Sequence, residues 1–174
     1  LQVSAGQLVT RADIDAGFLV FTPSENTNGT AYASFSFTVE DNRQLMSETS
    51  NVIAFDVAAV NDAPVLADTP LTLTVAEDGG APVGAVGSLL SSLISGITDV
   101  DTGALKGIAI TASNETNGIW YYSTDGGSNW NTVGPVSNAA SLLLADDANT
   151  RIYFAPASNY NGMSLSALTL RARD

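Results

Sequence analysis

The stretch Arg11–Asp41, RADIDAGFLVFTPSENTNGTAYASFSFTVED, decides how this chain is read, because it occurs twice. Moved forward by 133 positions it lies without a gap on Leu144–Asp174, LADDANTRIYFAPASNYNGMSLSALTLRARD. Ala12-Asp13 falls on Ala145-Asp146, and Phe21-Thr-Pro23 falls on Phe154-Ala-Pro156. Asn26-Thr-Asn28-Gly29 falls on Asn159-Tyr-Asn161-Gly162, and Asp41 on Asp174. The shared positions are turn formers, one aromatic and a terminal acid, residue types that set a backbone path. Self-similarity at a fixed period marks a tandem array. A period of roughly 130 residues is too long for a solenoid unit and suits one autonomous domain. The chain therefore reads as a window, a little over one period long, on a repetitive protein.

Outward from this stretch, strand signals dominate. Phe18–Phe21, Ala33–Val39, Val52–Val57 and Leu71–Val75 are rich in β-branched or aromatic residues, and several alternate with period two. Gly107–Thr111, Gly118–Tyr122, Arg151–Phe154 and Leu165–Leu170 continue the series, with Asn, Asp, Gly and Pro clusters between them. Val86–Ser95 and Ala139–Ala145 read as short helices or helical turns. The pattern predicts an all-β chain, a sandwich of the immunoglobulin-like kind.

Composition narrows the function classes. With 45% hydrophobic residues, the 174-residue chain can build a core. Six Lys and Arg stand against 18 Asp and Glu, for a net charge of −12, and there is no His. Such a surface repels phosphate backbones and anionic headgroups, which argues against nucleic-acid and membrane partners. The absence of Cys excludes a disulfide framework, a thiolate zinc site and a cysteine nucleophile. No run approaches the roughly 20 apolar residues that span a bilayer.

A joint is legible at Val60-Asn61-Asp62-Ala63-Pro64, between two strand signals, with the proline stiffening it. On this division residues 1–60 are the C-terminal part of one repeat, and residues 61–174 are the following repeat without its last strand. In the first copy Asp41 is followed by a loop and one more strand, which the second copy does not repeat. Acids gather where strands end, at Asn61-Asp62, Glu77-Asp78, Asp99-Val-Asp101, Asp41 and Asp174. On an extended strand Asp99 and Asp101 face the same side, and two like charges there are costly unless a cation or hydrogen bonds offset them. Oxygen ligands without His or Cys favour Ca²⁺. The alternative is that each acid caps a turn by accepting from backbone amides.

Thr74-Val-Ala-Glu77, Ile97-Thr-Asp-Val-Asp101, the strand ends at Asp41 and Asp174, and the Val60–Pro64 joint together resemble the cadherin-like tandem repeats of giant extracellular bacterial adhesins of the RTX or type I-secreted kind. The resemblance implies one interdomain Ca²⁺ site from Asn61, Asp62, Asp99, Asp101 and Asp174, with Glu77 at the opposite pole facing the next domain. The joint departs from the fuller Asp-x-Asn-Asp-Asn linker of animal cadherins by one ligand. The preceding domain's acidic pair has no clear counterpart beyond Glu25.

Enzyme readings find little to stand on. Ser123-Thr-Asp125-Gly-Gly127-Ser-Asn-Trp130 looks like the Asp-box of sialidases, which is a hairpin staple rather than a catalytic element. The arginines are scattered, and the acids sit in turns beside Gly, Asn and Thr rather than in an apolar cleft. Trp120, Tyr121, Tyr122 and Trp130 offer a glycan-stacking platform, although alternation sends Trp120 and Tyr122 to one face and large aromatics are usually buried. Asn28 and Asn114 begin glycosylation sequons. The reading that emerges is a non-enzymatic spacer of an extracellular, cell-surface adhesin or filament protein, with Ca²⁺-stiffened joints and neighbouring repeats as its partners. Such a protein projects a binding head or builds a biofilm matrix. A carbohydrate-binding module and a strand-complemented filament subunit are the alternatives.

Overall fold

The computed structural model describes residues 2–67, 71–164 and 167–174. The chain divides into two compact units, Leu1–Val60 and Asn61–Asp174. It is mostly β, in several antiparallel sheets with very little helix.

The first unit holds α1 (Arg11–Asp15), β1 (Gly29–Phe37) and β2 (Asn51–Val57). Thr10 starts the helix: its hydroxyl accepts from the Asp13 amide at 3.1 Å, and the Asp13 carboxylate accepts from the Thr10 amide at 3.2 Å. This reciprocal cap satisfies two donors that a helix start leaves open. β1 and β2 pair antiparallel with Phe35 opposite Ile53 and Phe37 opposite Asn51. Phe21 stacks on Phe55 with ring centroids 4.5 Å apart, and Phe35 lies 5.9 Å from Phe55. None of the unit's described residues is buried. The strand expected over Phe18–Phe21 is not formed, and Phe18 is 76% exposed. A strand needs a ladder, and this segment has none among the described residues, because β1 pairs only with β2.

The second unit contains β3 (Val65–Leu66), β4 (Ser88–Leu89), α2 (Leu90–Leu93), β5 (Ile97–Thr98), β6 (Gly107–Ser113), β7 (Gly118–Ser123), β8 (Asn131–Thr132), β9 (Leu142–Ala145), β10 (Arg151–Pro156) and β11 (Leu168–Arg173). One sheet runs β4-β10-β7-β8, a second runs β11-β6-β9, and β3 pairs with β5. A single hydrophobic cluster draws Trp120, Ile152 and Phe154 from the first sheet and Ile108, Ile110 and Leu144 from the second. Trp120 meets Phe154 at 4.8 Å between ring centroids.

Two expectations need correction here, and a third, the helical turn within Val86–Ser95, is met over part of its length. Leu71–Val75 forms no strand; Leu73 and Val75 instead pack against the core without ladder pairing among the described residues. Val86–Ser95 holds only the single turn α2, preceded by the β4 bridge to Arg151 and Ile152. Ala139–Ala145 is not helical: Leu142–Ala145 is β9, paired with Gly107–Ile110. Its leucines alternate, Leu143 being 52% exposed and Leu144 1% exposed, so a period of two served by the β6 edge overrides helix propensity. Of the strand expected over Leu165–Leu170, residues 165–166 lie outside the described residues, and β11 begins at Leu168.

The repeat holds in backbone detail where both copies make turns. Asn26 and Asn159 are both left-handed, with φ of 54° and 58°, and Gly29 and Gly162 share φ of 153° and 143°. The Thr27 hydroxyl donates to the Ser24 carbonyl, while the Tyr160 amide donates to Ala157 at the same repeat positions. The copies differ at the matched aromatic. Phe154 is 7% exposed against Trp120, whereas Phe21 is 38% exposed and has no tryptophan to meet.

Both tryptophans lie in the second unit, so tryptophan fluorescence follows its unfolding alone. Phe154→Ala should cost about 3–5 kcal/mol in a denaturant titration read this way. Phe21→Ala should leave that transition unmoved. Equal shifts from the two variants would contradict the unequal burial.

Candidate functional site

The acids that the sequence singles out meet at one end of the second unit, and strand register brings them there. Val65 pairs with Thr98 and Leu66 with Ile97. Continued backward, this antiparallel register sets Asp62 opposite Asp101. The Asp62 amide accordingly donates to Asp101 Oδ2 at 2.7 Å. Just beyond β5 the chain bends, so Asp99 and Asp101 do not lie on one extended strand as the sequence suggested. Asp99 Oδ1 turns back to accept from the Asp101 amide at 2.9 Å, the local closure that short acidic side chains favour in turns. β11 ends at the same place, where Asn61 Nδ2 donates to Asp174 Oδ2 and also reaches the Asp62 carbonyl at 3.2 Å.

Asn61, Asp62, Asp99, Asp101 and Asp174 thus join in one set of short contacts. Asp99 Oδ2 is closed to solvent and has no hydrogen-bond partner. An orphaned carboxylate oxygen is a costly group to bury. Among the described residues, no group of three or more His, Cys, Asp or Glu side chains stands close enough to hold a metal ion. The donors present are all oxygen, apart from the Asn61 amide nitrogen that now bridges to Asp174. Asp99, Asp101 and Asp174 are the side chains that would ligate a hard cation here, with Asn61 able to offer its amide oxygen after a flip.

Glu77 stands apart. It is exposed in a turn whose next residue, Asp78, accepts from the Asn159 amide at 2.9 Å, three residues beyond the end of β10. β6 runs from the acid end at Gly107 towards Ser113, and β7 starts back at Gly118 opposite Pro156. Glu77 is therefore associated with the end of the unit away from the acid network. Asp41, the repeat counterpart of Asp174, caps a turn: its Oδ1 accepts from the Arg43 amide at 2.8 Å and the Leu45 amide at 2.9 Å.

One participant was not anticipated. Lys106, the chain's single lysine, donates from Nζ to the Ile97 carbonyl at 3.0 Å, two residues before Asp99. Its place between Asp101 and β6 is the signal the sequence carried. The Arg173 guanidinium also donates at this end, to the Asp174 carbonyl at 3.2 Å.

The Ser123–Trp130 segment is a closed hairpin loop joining β7 to β8. Buried Ser123 Oγ accepts from the Gly127 amide at 2.9 Å and donates to Asp125 Oδ1 at 2.8 Å. Asp125 also accepts from the Asn129 backbone at 2.9 Å and from its side chain at 2.6 Å. Trp130 Nε1 donates to the Gly84 carbonyl at 3.1 Å, and its ring meets Tyr153 edge-on at 6.0 Å. Gly127 is required: with φ of 99°, any Cβ there would stand 2.3 Å from the Gly84 carbonyl oxygen. Trp120 lies in the core, so it is not available to stack on a sugar. No helix of the described residues is long and apolar enough to cross a membrane.

The Asn129 amides, followed by the Ser123 hydroxyl, hold Asp125 down at about 2 from its usual 3.8. A depressed carboxylate contributes stability that is full above the unfolded value and is lost as pH falls through the folded one. The melting-temperature gap between the wild type and Asp125→Asn should therefore be open at pH 5 and close between about pH 4 and pH 2. A gap independent of pH would mean the ionised carboxylate is not what closes the loop. Comparison with protein-family models, with curated proteins and with solved structures finds no match to this chain.

Proposed function

We propose that this chain is part of a tandem array of cadherin-like β-sandwich domains, serving as a non-enzymatic spacer in an extracellular, cell-surface adhesin or filament protein, with Ca²⁺ bound at the acidic end of each domain. The observation that carries the reading is the meeting of Asn61, Asp62, Asp99, Asp101 and Asp174 at one end, with Asp99 Oδ2 buried and unpartnered. Two further features support it. The 133-residue repeat fits a domain array rather than a single catalytic body. A single core fed by β4-β10-β7-β8 and β11-β6-β9 suits two sheets packed face to face.

The chain's own groups define what the site does. Asn61 and Asp62 are the first residues of the unit, and they are tied to Asp174 at the end of β11 and to Asp101 after β5. The entry of the chain into the domain is thereby pinned to two elements distant in sequence. When bound, Ca²⁺ would neutralise the clustered carboxylates and strengthen that tether. Asp99 Oδ2 would gain the partner it lacks, while the Asn61 amide would exchange its bond to Asp174 for a shared role. One missing linker ligand, no clear acidic pair from the preceding domain, and carboxylates not drawn close enough to enclose an ion among the described residues imply a weak site of the kind found in extracellular modules, with Kd about 10⁻⁴–10⁻³ M.

Thermal unfolding of the full chain in about 10 mM CaCl₂ and in EDTA tests the reading. An affinity in that range corresponds to about 1.4–2.7 kcal/mol of added stability in the second unit. Asp99→Asn and Asp101→Asn should each remove the difference between the two conditions, whatever they do to the baseline. Identical midpoints in CaCl₂ and EDTA would reduce the acids to turn caps.

A further inference from the structure

We infer that Asn114 is a glycan acceptor, the attachment site for a sugar passed to its side-chain nitrogen from a diphosphate-activated donor by a sequon-reading transferase. Asn114-Glu115-Thr116 is one of the two Asn-x-Thr sequons in the chain, and Asn28-Gly29-Thr30 is the other. The fold separates them. Asn114–Asn117 is the turn between β6 and β7, and Asn114, Glu115 and Thr116 are all exposed. The Thr116 amide donates to Asn114 Oδ1 at 3.0 Å. That local closure draws the acceptor and the third residue of the sequon together and restricts the rotamers of Asn114. An amide oxygen that accepts a hydrogen bond also withdraws electron density from its nitrogen, so the Nδ2 hydrogens become easier to remove.

The turn is held by backbone on both sides. The Asn114 amide donates to the Ala167 carbonyl at 2.8 Å, the Gly118 amide reaches the Glu115 carbonyl at 3.4 Å, and the Ala157 amide donates to the Asn117 carbonyl at 2.8 Å. Between the two sequon positions, Glu115 Oε1 accepts from the Trp120 amide at 3.4 Å. The frame is therefore fixed while the Asn114 and Thr116 side chains stand in solvent. A bulky group added at Asn114 displaces no core residue.

Asn28 lacks this closure. Its sequon runs out of a turn into β1, with Gly29 at φ of 153° and Ala31 left-handed at 51°. Among the described residues, Thr30 does not donate to the Asn28 side chain. The repeat does not keep the sequon either: Asn161-Gly162-Met163 stands at the matched positions, with no hydroxyl at the third.

The transfer balances without a redox partner. Asn114 Nδ2 attacks C1 of the sugar, and the bond from C1 to the diphosphate oxygen breaks. The diphosphate leaves with that electron pair, and one Nδ2 proton passes to a base of the transferase. None of this depends on a bound cation, so the inference stands apart from the calcium reading.

The test incubates the full chain with a sequon-reading N-glycosyltransferase and uridine diphosphate glucose, and reads intact mass and peptide maps over time. A short sequon peptide in a parallel reaction establishes that the enzyme is active. One hexose should appear at Asn114 severalfold faster than at Asn28. Thr116→Ala should abolish the addition at Asn114 and Thr116→Ser should retain it. Both variants should keep the tryptophan-fluorescence unfolding midpoint, because the turn is closed by the Thr116 amide and not by its hydroxyl. A modified peptide beside an unmodified chain would overturn the inference. So would Asn28 reacting as fast as Asn114, or Asn114 reacting undiminished in Thr116→Ala.

Discussion

Everything in the second unit depends on the packing of Trp120 and Phe154 against Ile108, Ile110 and Leu144. These residues come from two different sheets and bury one another in a single cluster. Their burial is the dominant favourable term available to a chain that has no cysteine to form a disulfide. The two sheets can carry loops, bends and acids at their ends because the middle is fixed. The first unit shows the converse. Among its described residues the same repeat motif recurs with Phe21 in place of Phe154, and its phenylalanines cover one another while still partly open to solvent.

The end of the second unit illustrates how register turns sequence spacing into a site. Asp62 and Asp101 are far apart in the chain, yet the two-residue β3-β5 ladder aligns them. Asp174 arrives through a different route, as the last residue after β11, and meets Asn61. Hydrogen bonds from Asn61 and from the Asp62 and Asp101 amides offset part of the repulsion among the acids. Among the described residues, Asp99 Oδ2 is the buried oxygen of this arrangement that lacks a partner. The Ser123–Trp130 hairpin solves the same problem differently: its carboxylate is saturated by amides and a hydroxyl, so no cation is called for.

Much of this is legible in the sequence. The alternating runs at 33–39, 52–57, 107–111 and 118–122 became strands because both their period and their partners are present. The shared Asn and Gly turns appeared in both copies because left-handed and other positive φ values suit those two residue types. Phe18–Phe21 and Leu71–Val75 find no ladder partner among the described residues, and strand propensity alone does not supply one. Ala139–Ala145 misled because three consecutive leucines look alike at helical and strand period, and only the exposed edge of β6 decides between them. Of the candidate site, the residue types followed from the sequence, and the meeting of five of them was what the resemblance to cadherin-like repeats implied. The bend at Asp99–Asp101, the orphaned oxygen and Lys106 followed from neither, since each depends on atoms brought together across the fold.

The central claim is that the acid end of the second unit binds calcium through Asp99, Asp101 and Asp174 while holding Asn61 and Asp62 in place. The most direct measurement is a CaCl₂ titration followed by amide resonances of the isotopically labelled chain, with MgCl₂ as the comparison. The account predicts saturable shifts concentrated at Asp62 and Asp101, whose amides donate to the ligating carboxylates, with the Asn61 side-chain amide moving alongside them. Amides at those positions that stay still, or that move no more with calcium than with magnesium, would contradict it.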